Sequence, residues 1–267
     1  MAIEYAIGVV IAKAVLAALE KRLVYRAMYN EDYTGDATSG TVRLIGVTGA
    51  TVAPYTRNQE VVYGLLSDTP VDLDLDQSDI FACRIDDLDK IQSSPDLLAA
   101  ALRDGVHGLE NAIDKYLAQT LADGAELFVL DSDDAPVSIN SANALPALTR
   151  MGRLLDDADV PREGRSVVLP PWYIEDLVTA EVDLKVDLAA FQGGYVGRAA
   201  GFDIRMSTNV PKESDAHCVI GGTKAAATMA LQLNQVEKIR LEKYVADGIR
   251  GLTSYGAVVV YSVENGQ

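Results

Sequence analysis

The clearest pattern in the chain is a stripe of apolar residues at helical spacing: Leu98, Leu102, Val106, Leu109, Ile113, Leu117 and Leu121. Ser94 as N-cap, Pro95 at the first helical position and Asp96 at the positive end of the dipole predict its start, and Gly124 its end. At ~1.5 Å per residue, a helix over 95–123 is a spine roughly 43 Å long. Gly105 and Gly108 interrupt good helix formers at a cost on the order of 1 kcal/mol each, which predicts a bend.

Just upstream the period changes from 3.6 to 2. Val71, Leu73 and Leu75 alternate with Asp72, Asp74 and Asp76, the signature of a strand with one buried face. Three like charges on one face need water, cations or a basic partner. Same-face side chains lie ~6.5 Å apart, too far for tight joint chelation, so the face is read as solvated or partner-facing rather than as a metal site. Before it, 33–70 is rich in Thr, Gly, Val and Tyr. TVRLIGV (Thr41–Val47) and EVVYGLL (Glu60–Leu66) read as strands of a long excursion with little to bury alone, which implies a neighbouring subunit to lean on.

The N-terminal stretch Tyr5–Leu19 is almost wholly apolar but shorter than the ~20 residues that span a bilayer, and Lys13 interrupts it. Ile7, Ile11, Val15 and Leu19 recur at four, predicting an amphipathic arm helix running to about Tyr29. From Ser132 to Leu233 the texture is mixed α/β. Ser141 caps a helix ending near Asp159; SVVLPP (Ser166–Pro171) is a short buried strand, and Trp172–Ala180 a helix. GFDIRMS (Gly201–Ser207) and HCVIGG (His217–Gly222) are strands, with a short helix over Lys224–Thr228. QVEKIR and GLTSYGAVVVYSV (Gly251–Val263) close the chain as strands.

The 267 residues are 49% hydrophobic and 23% charged, which excludes a disordered tail or a coiled coil. The 26 Asp and 13 Glu outweigh 9 Lys and 14 Arg, for a net charge of −16. That balance disfavours broad binding to a phosphate backbone. It fits either ordinary solubility or a protein at home in concentrated salt. Cys83 and Cys218 lie in apolar runs and read as small core residues, not a disulfide framework.

Catalytic chemistry finds no support. GGYVGRAAG (Gly193–Gly201) lacks dinucleotide spacing, GGTK (Gly221–Lys224) reverses a phosphate loop, and both read as sharp turns. DSDD (Asp131–Asp134) opens like a calcium loop, but Pro136 and Ala142 stand where glycine and glutamate belong. Asp104 with His107 does not fill a zinc site. His217 and Cys218, adjacent in a strand, point to opposite faces. There is no G-x-S-x-G elbow. The sequence predicts no cofactor and no enzyme.

The order of parts carries a resemblance. SVVLPPWYIEDLV (Ser166–Val178), FQGGYVGRAAGFDIRMSTNVP (Phe191–Pro211) and VEKIRLEKYVADGIRGLTSYGAVVVYSV (Val236–Val263) resemble the strand–helix step, the glycine-rich turn and the closing strands of Hong Kong 97-type major capsid proteins of tailed viruses. The resemblance covers nearly the whole chain. It implies an α+β fold with an N-terminal arm (1–30), an extended loop (31–70), a peripheral domain with the spine helix (71–123, returning at 234–267) and an axial domain (124–233). It further implies hexamers and pentamers in a shell enclosing double-stranded DNA without specific binding, a portal, a separate scaffolding protein and an optional decoration protein. Some members join subunits through a lysine of the extended loop. Thr34–Pro70 contains no lysine, only Arg43 and Arg57, so that chemistry is not expected. The two arginines are instead offered as intersubunit partners for Asp72, Asp74 and Asp76, against simple solvation. The Asp-rich balance then points to a virus of a salty environment, such as that of a halophilic host. Two rivals stand beside this reading: a cellular encapsulin-like nanocompartment shell with the same fold, and an α/β enzyme with an unrecognised site.

Overall fold

The computed structural model describes residues 23–32, 41–48, 57, 67–86, 97–125, 136–180, 194–213, 215–241 and 246–260. The arm before Leu23, the Ser94–Asp96 cap, EVVYGLL and DSDD lie outside the described residues.

The spine is the 27-residue helix α1 (Leu97–Asp123). It packs its stripe (Val106, Leu109, Ile113, Leu117, Leu121) on an antiparallel three-stranded sheet of order β10-β11-β3, with β3 at Gln77–Asp86, β10 at Ala227–Arg240 and β11 at Ala246–Val259. Gly105 serves close approach: a Cβ there would lie 3.1 Å from the Phe81 ring of β3, and one at Gly251 of β11 only 2.2 Å from it. The two glycines form a slot for Phe81. Gly124 likewise does not adopt the left-handed cap conformation; a Cβ there would strike Val259 at 2.5 Å. Along β11, Ile249, Thr253 and Tyr255 point to the helix while Arg250 and Leu252 point out. The β10–β11 register shifts between Leu233 and Gln235, leaving Asn234 as a one-residue bulge.

A second region is built on a four-stranded sheet of order β5-β6-β4-β9 (β4 Arg165–Leu169, β5 Tyr195–Ala199, β6 Phe202–Met206, β9 Ile220–Thr223). β4 and β6 are parallel, joined through α3 (Pro171–Thr179), and α2 (Ala144–Asp157) packs beside α3. Val167 and Leu169 of β4 join Leu148, Leu155, Tyr173 and Leu177 of the two helices, whereas Val168 faces the cluster around Tyr25 and α1. A strand buried on both faces explains the unbroken apolar run SVVL. α3 starts at Pro171, one residue before the expected Trp172, with the proline at its first helical position.

Four local expectations are corrected. Ser141 does not cap α2; the Asn140 side chain accepts from the Ala142 and Asn143 N–H groups in a turn before it. HCVIGG divides into β8 (Ala216–His217), which hairpins with β7 (Lys212–Glu213), and β9. Gly221 and Gly222 lie within β9 rather than starting a helix; a Cβ at Gly221 would meet Met151 Sδ at 2.5 Å, and a 3-10 turn spans Lys224–Ala226. The arm does not reach Tyr29 as an α-helix: Tyr25–Met28 is a 3-10 turn, with Leu23, Tyr25, Met28 and Tyr29 buried in the spine's core. The glycine-rich run does turn sharply, at Gly194 and Gly201 with positive φ.

The excursion pairs differently from the expected hairpin. β1 (Thr41–Thr48) is antiparallel to β2 (Ser67–Asp74), so the strand carrying Val71 and Leu73 continues from the loop into the body. The boundary drawn at 70/71 therefore falls inside β2, and that at 233/234 inside β10. Cys83 and Cys218 are free thiols, each partly buried, and Cys83 packs against the spine's core.

Candidate functional site

Two features are seated on this body: the segment entering from the arm and the β1–β2 ribbon. The entering segment is held by one carboxylate. Asp114 of α1 is 4% exposed; its Oδ1 accepts the N–H groups of Val24 and Tyr25, both at 3.0 Å. Its Oδ2 accepts from the Ser207 hydroxyl at 3.3 Å and the Asn209 amide at 3.4 Å. Three chain segments thus meet on one buried side chain. Burial pushes its pKa upward, and the four donors pull against that shift. Downstream, Tyr29 donates its hydroxyl to the Leu117 carbonyl at 2.6 Å, and Asn30 bridges Thr228 at the edge of β10. Arg26 forms a two-pronged pair with Glu31. The sequence reading missed Asp114, whose donors lie about ninety positions away on either side.

The ribbon is seated by Val42, Leu73 and Ala230, with Val71, Leu75, Val258 and Val260 around them. At its base a Cβ on Gly256 would lie 2.0 Å from the Asp74 carbonyl oxygen, so the ribbon crosses β11 where only glycine fits. Asp72, Asp74 and Asp76 are all exposed on the predicted face. Each is engaged within the chain. Asp72 lies opposite Arg43 in the ladder, Asp74 accepts from the Thr41 hydroxyl at 2.8 Å, and Asp76 accepts from the Tyr116 hydroxyl at 3.2 Å. Arg57 stands on an exposed turn.

Among the described residues no group of three or more His, Cys, Asp or Glu is placed to hold a metal, and no helix is long and apolar enough to cross a membrane. His107 Nδ1 lies 3.4 Å from Glu110 Oε2, and Asp104 is exposed beside them. His217 stacks on Trp172 with ring centroids 5.6 Å apart; burial and then Lys212 lower its pKa. Two open recesses mark the surface. One, about 470 Å³, runs along α2; the other, about 450 Å³, lies between the 3-10 turn at Ala27 and the β4–β6–β9 sheet.

No protein-family model matches the sequence, and no curated protein is significantly similar to it. Solved structures match over nearly its whole length. A chain from Mycobacterium phage Che8 superposes with a TM-score of 0.68 at 26% identity, covering 91% of this chain and 89% of that one. The capsid structure of cyanophage P-SCSP1u gives 0.66 at 15% identity, over 90% and 85%. The capsid of Ralstonia phage GP4 gives 0.61 at 12%, over 90% and 87%. The chain has the α+β fold of phage capsid proteins.

Proposed function

We propose that this chain is the major capsid protein of a tailed virus, a structural subunit that self-assembles into the icosahedral shell around a double-stranded DNA genome. The observation that carries the reading is the match to phage capsid structures over about nine-tenths of both chains. A seated ribbon and a fixed arm entry suit a shell subunit, which must lie over its neighbours. The Hong Kong 97 subtype, with arm, extended loop, peripheral and axial domains, is supported by the long helix on its three-stranded sheet and by the separate core of the α2–α3 region. The role is mechanical rather than catalytic. Hexamers and pentamers, a portal, a separate scaffold and an optional decoration protein belong to this proposal, and its location is the virion. Electron microscopy and sizing of the purified protein test it: shells or capsomers are expected, and a monomer under every salt condition would overturn it.

Two finer proposals follow from charge. Arg57, exposed at the far part of the ribbon, pairs with an acidic face of a neighbouring copy; reversing Arg57 and that partner together must restore assembly lost in each single variant. Multiplied over many copies, a charge of −16 must be screened for a shell to close, as in a salty host environment. Particles should loosen when salt is lowered; intact shells in dilute buffer free of divalent ions would contradict this.

A further inference from the structure

The α2–α3 pair presents two unlike faces. On α3, Trp172, Glu175 and Val178 lie on one side of the helix and are all exposed, Trp172 at 39% and Val178 at 60%. Two large apolar side chains on one exposed helix face are unusual for a surface left to water. Trp172 is also flanked by rings: those of His217 and Tyr173 lie tilted against it, each with its centroid 5.6 Å away. A fixed, half-exposed tryptophan is the residue type most often found at the centre of an interface.

The open face of α2 is the reverse in charge. The recess of about 470 Å³ is lined by Leu145, Arg150 and Arg153, with Pro146 and Thr149 between them. On a chain with 39 acidic side chains this face is basic. Arg153 is paired with Asp157 at 2.8 Å, whereas Arg150 has no ion-pair partner among the described residues. One helix therefore offers apolar bulk beside a carboxylate, and its neighbour an apolar recess beside an unpaired guanidinium.

We propose that these faces are the two halves of one contact between copies of this chain: the Trp172–Glu175–Val178 face of one copy docks in the Leu145–Arg150–Arg153 recess of the next. Two different patches meeting in this way make a head-to-tail joint, which closes into a ring when the rotation is right. The proposal rests on the shell-forming reading and deepens it, placing the α2–α3 region at the joints within a ring of subunits. Glu175 facing Arg150 sets the register, and burial of the Trp172 ring supplies the apolar area.

Charge exchange in trans is the test. Arg150→Glu and Glu175→Arg, made separately, should each lower the yield of rings and shells about tenfold or more, with Trp172→Ala doing the same. Mixed in equal amounts, the two charge variants should recover even-numbered rings. In an alternating ring, Glu at 150 meets Arg at 175 at one joint, and Arg150 meets Glu175 at the next. Odd-numbered rings cannot alternate and should stay deficient. Recovery in the double variant but not in the mixture would mean that the pair acts within one chain, and would overturn the proposal. Single variants that assemble like the unaltered protein would overturn it as well. All positions are exposed, so thermal unfolding of the unassembled variants should match the parent. If a charge reversal lowers it, Arg150→Gln and Glu175→Gln take its place, and unimpaired assembly of both would be fatal to the proposal. Failure of the unaltered protein to form any ring or shell would count against the capsid reading itself, a separate outcome.

Discussion

The spine region and the β1–β2 ribbon are neighbours in the fold and opposites in construction. Around α1, eighteen buried residues drawn from the arm segment, the spine, four strands and Val210 share one cluster. The ribbon is held at its base by Val42 and Leu73 against Ala230. In the spine region one buried polar group gathers several partners: Asp114 accepts from four donors. On the ribbon the charges stay on the surface and pair one to one, as Asp74 does with Thr41. The difference separates a body that must be stable by itself from an element whose remaining surface is left for other contacts.

The largest effect that could break this contrast is Ile113→Ala, at a fully buried position of the spine. It should lower the global unfolding free energy by about 3–5 kcal/mol, measured by denaturant titration of the unassembled protein. Leu73→Ala removes a side chain of the same size at 1% exposure. If the ribbon is a separate unit, the change should cost less than about 1 kcal/mol in the global transition while hydrogen exchange of 41–48 and 67–74 accelerates. Equal losses from the two substitutions would show that ribbon and body unfold together.

Between these two in size lies Asp114→Asn. The amide keeps an acceptor for Val24 and Tyr25 but sets an NH2 group against the donors Ser207 and Asn209, at a cost of about 1–3 kcal/mol. Its pH dependence has a definite sign. Because burial raises the carboxyl's pKa in the folded state, the folded protein gains from Asp114 below the ordinary carboxylate range and loses that gain as pH rises through the raised value. The deficit of the Asn variant should therefore be greatest in acid and shrink toward neutral pH. A deficit that grows with pH would mean that the four donors outweigh burial. The smallest effect is expected from Arg57→Glu, within about 0.5 kcal/mol of the parent in stability, with its consequence confined to assembly.

The parts legible in the sequence were those whose pattern is local. The α1 stripe, the Val71–Leu75 alternation, the short apolar run before α3 and the β-rich close each extend over a few residues and were placed correctly. What escaped depended on distant neighbours. Gly105 reads as a helix weakness until Phe81 is found against it, and Gly124 as a cap until Val259 is. The partner of β1 was sought in EVVYGLL because that run is apolar, whereas Ser67–Asp74, with Pro70 in it, makes the ladder. A two-stranded ribbon has outward edges on both sides, so a proline there need not cost a ladder bond. Among the five residues singled out for contacts between subunits, the backbone register makes Arg43 and Asp72 cross-strand neighbours in one chain, a pairing that the long gap between them concealed.

The bulge at Asn234 sets the phase of everything that follows it in β10. Before it, Leu233 lies opposite the inward Thr253; after it, Gln235 lies opposite the outward Leu252, although residues two apart in an unbroken strand share a face. This inversion brings Glu237 opposite Arg250, where the two pair on the outer surface. Were the bulge to close with Asn234 taken into the ladder, the rest of the strand would slip by one residue and Glu237 would lie opposite the inward Ile249, its carboxylate toward the spine helix. Deleting Asn234 should therefore be tolerated, since Gln235 stays opposite Leu252 in an unbroken ladder, whereas a residue inserted or deleted between Gln235 and Glu237 would turn the Glu237–Arg250 pair off the outer surface.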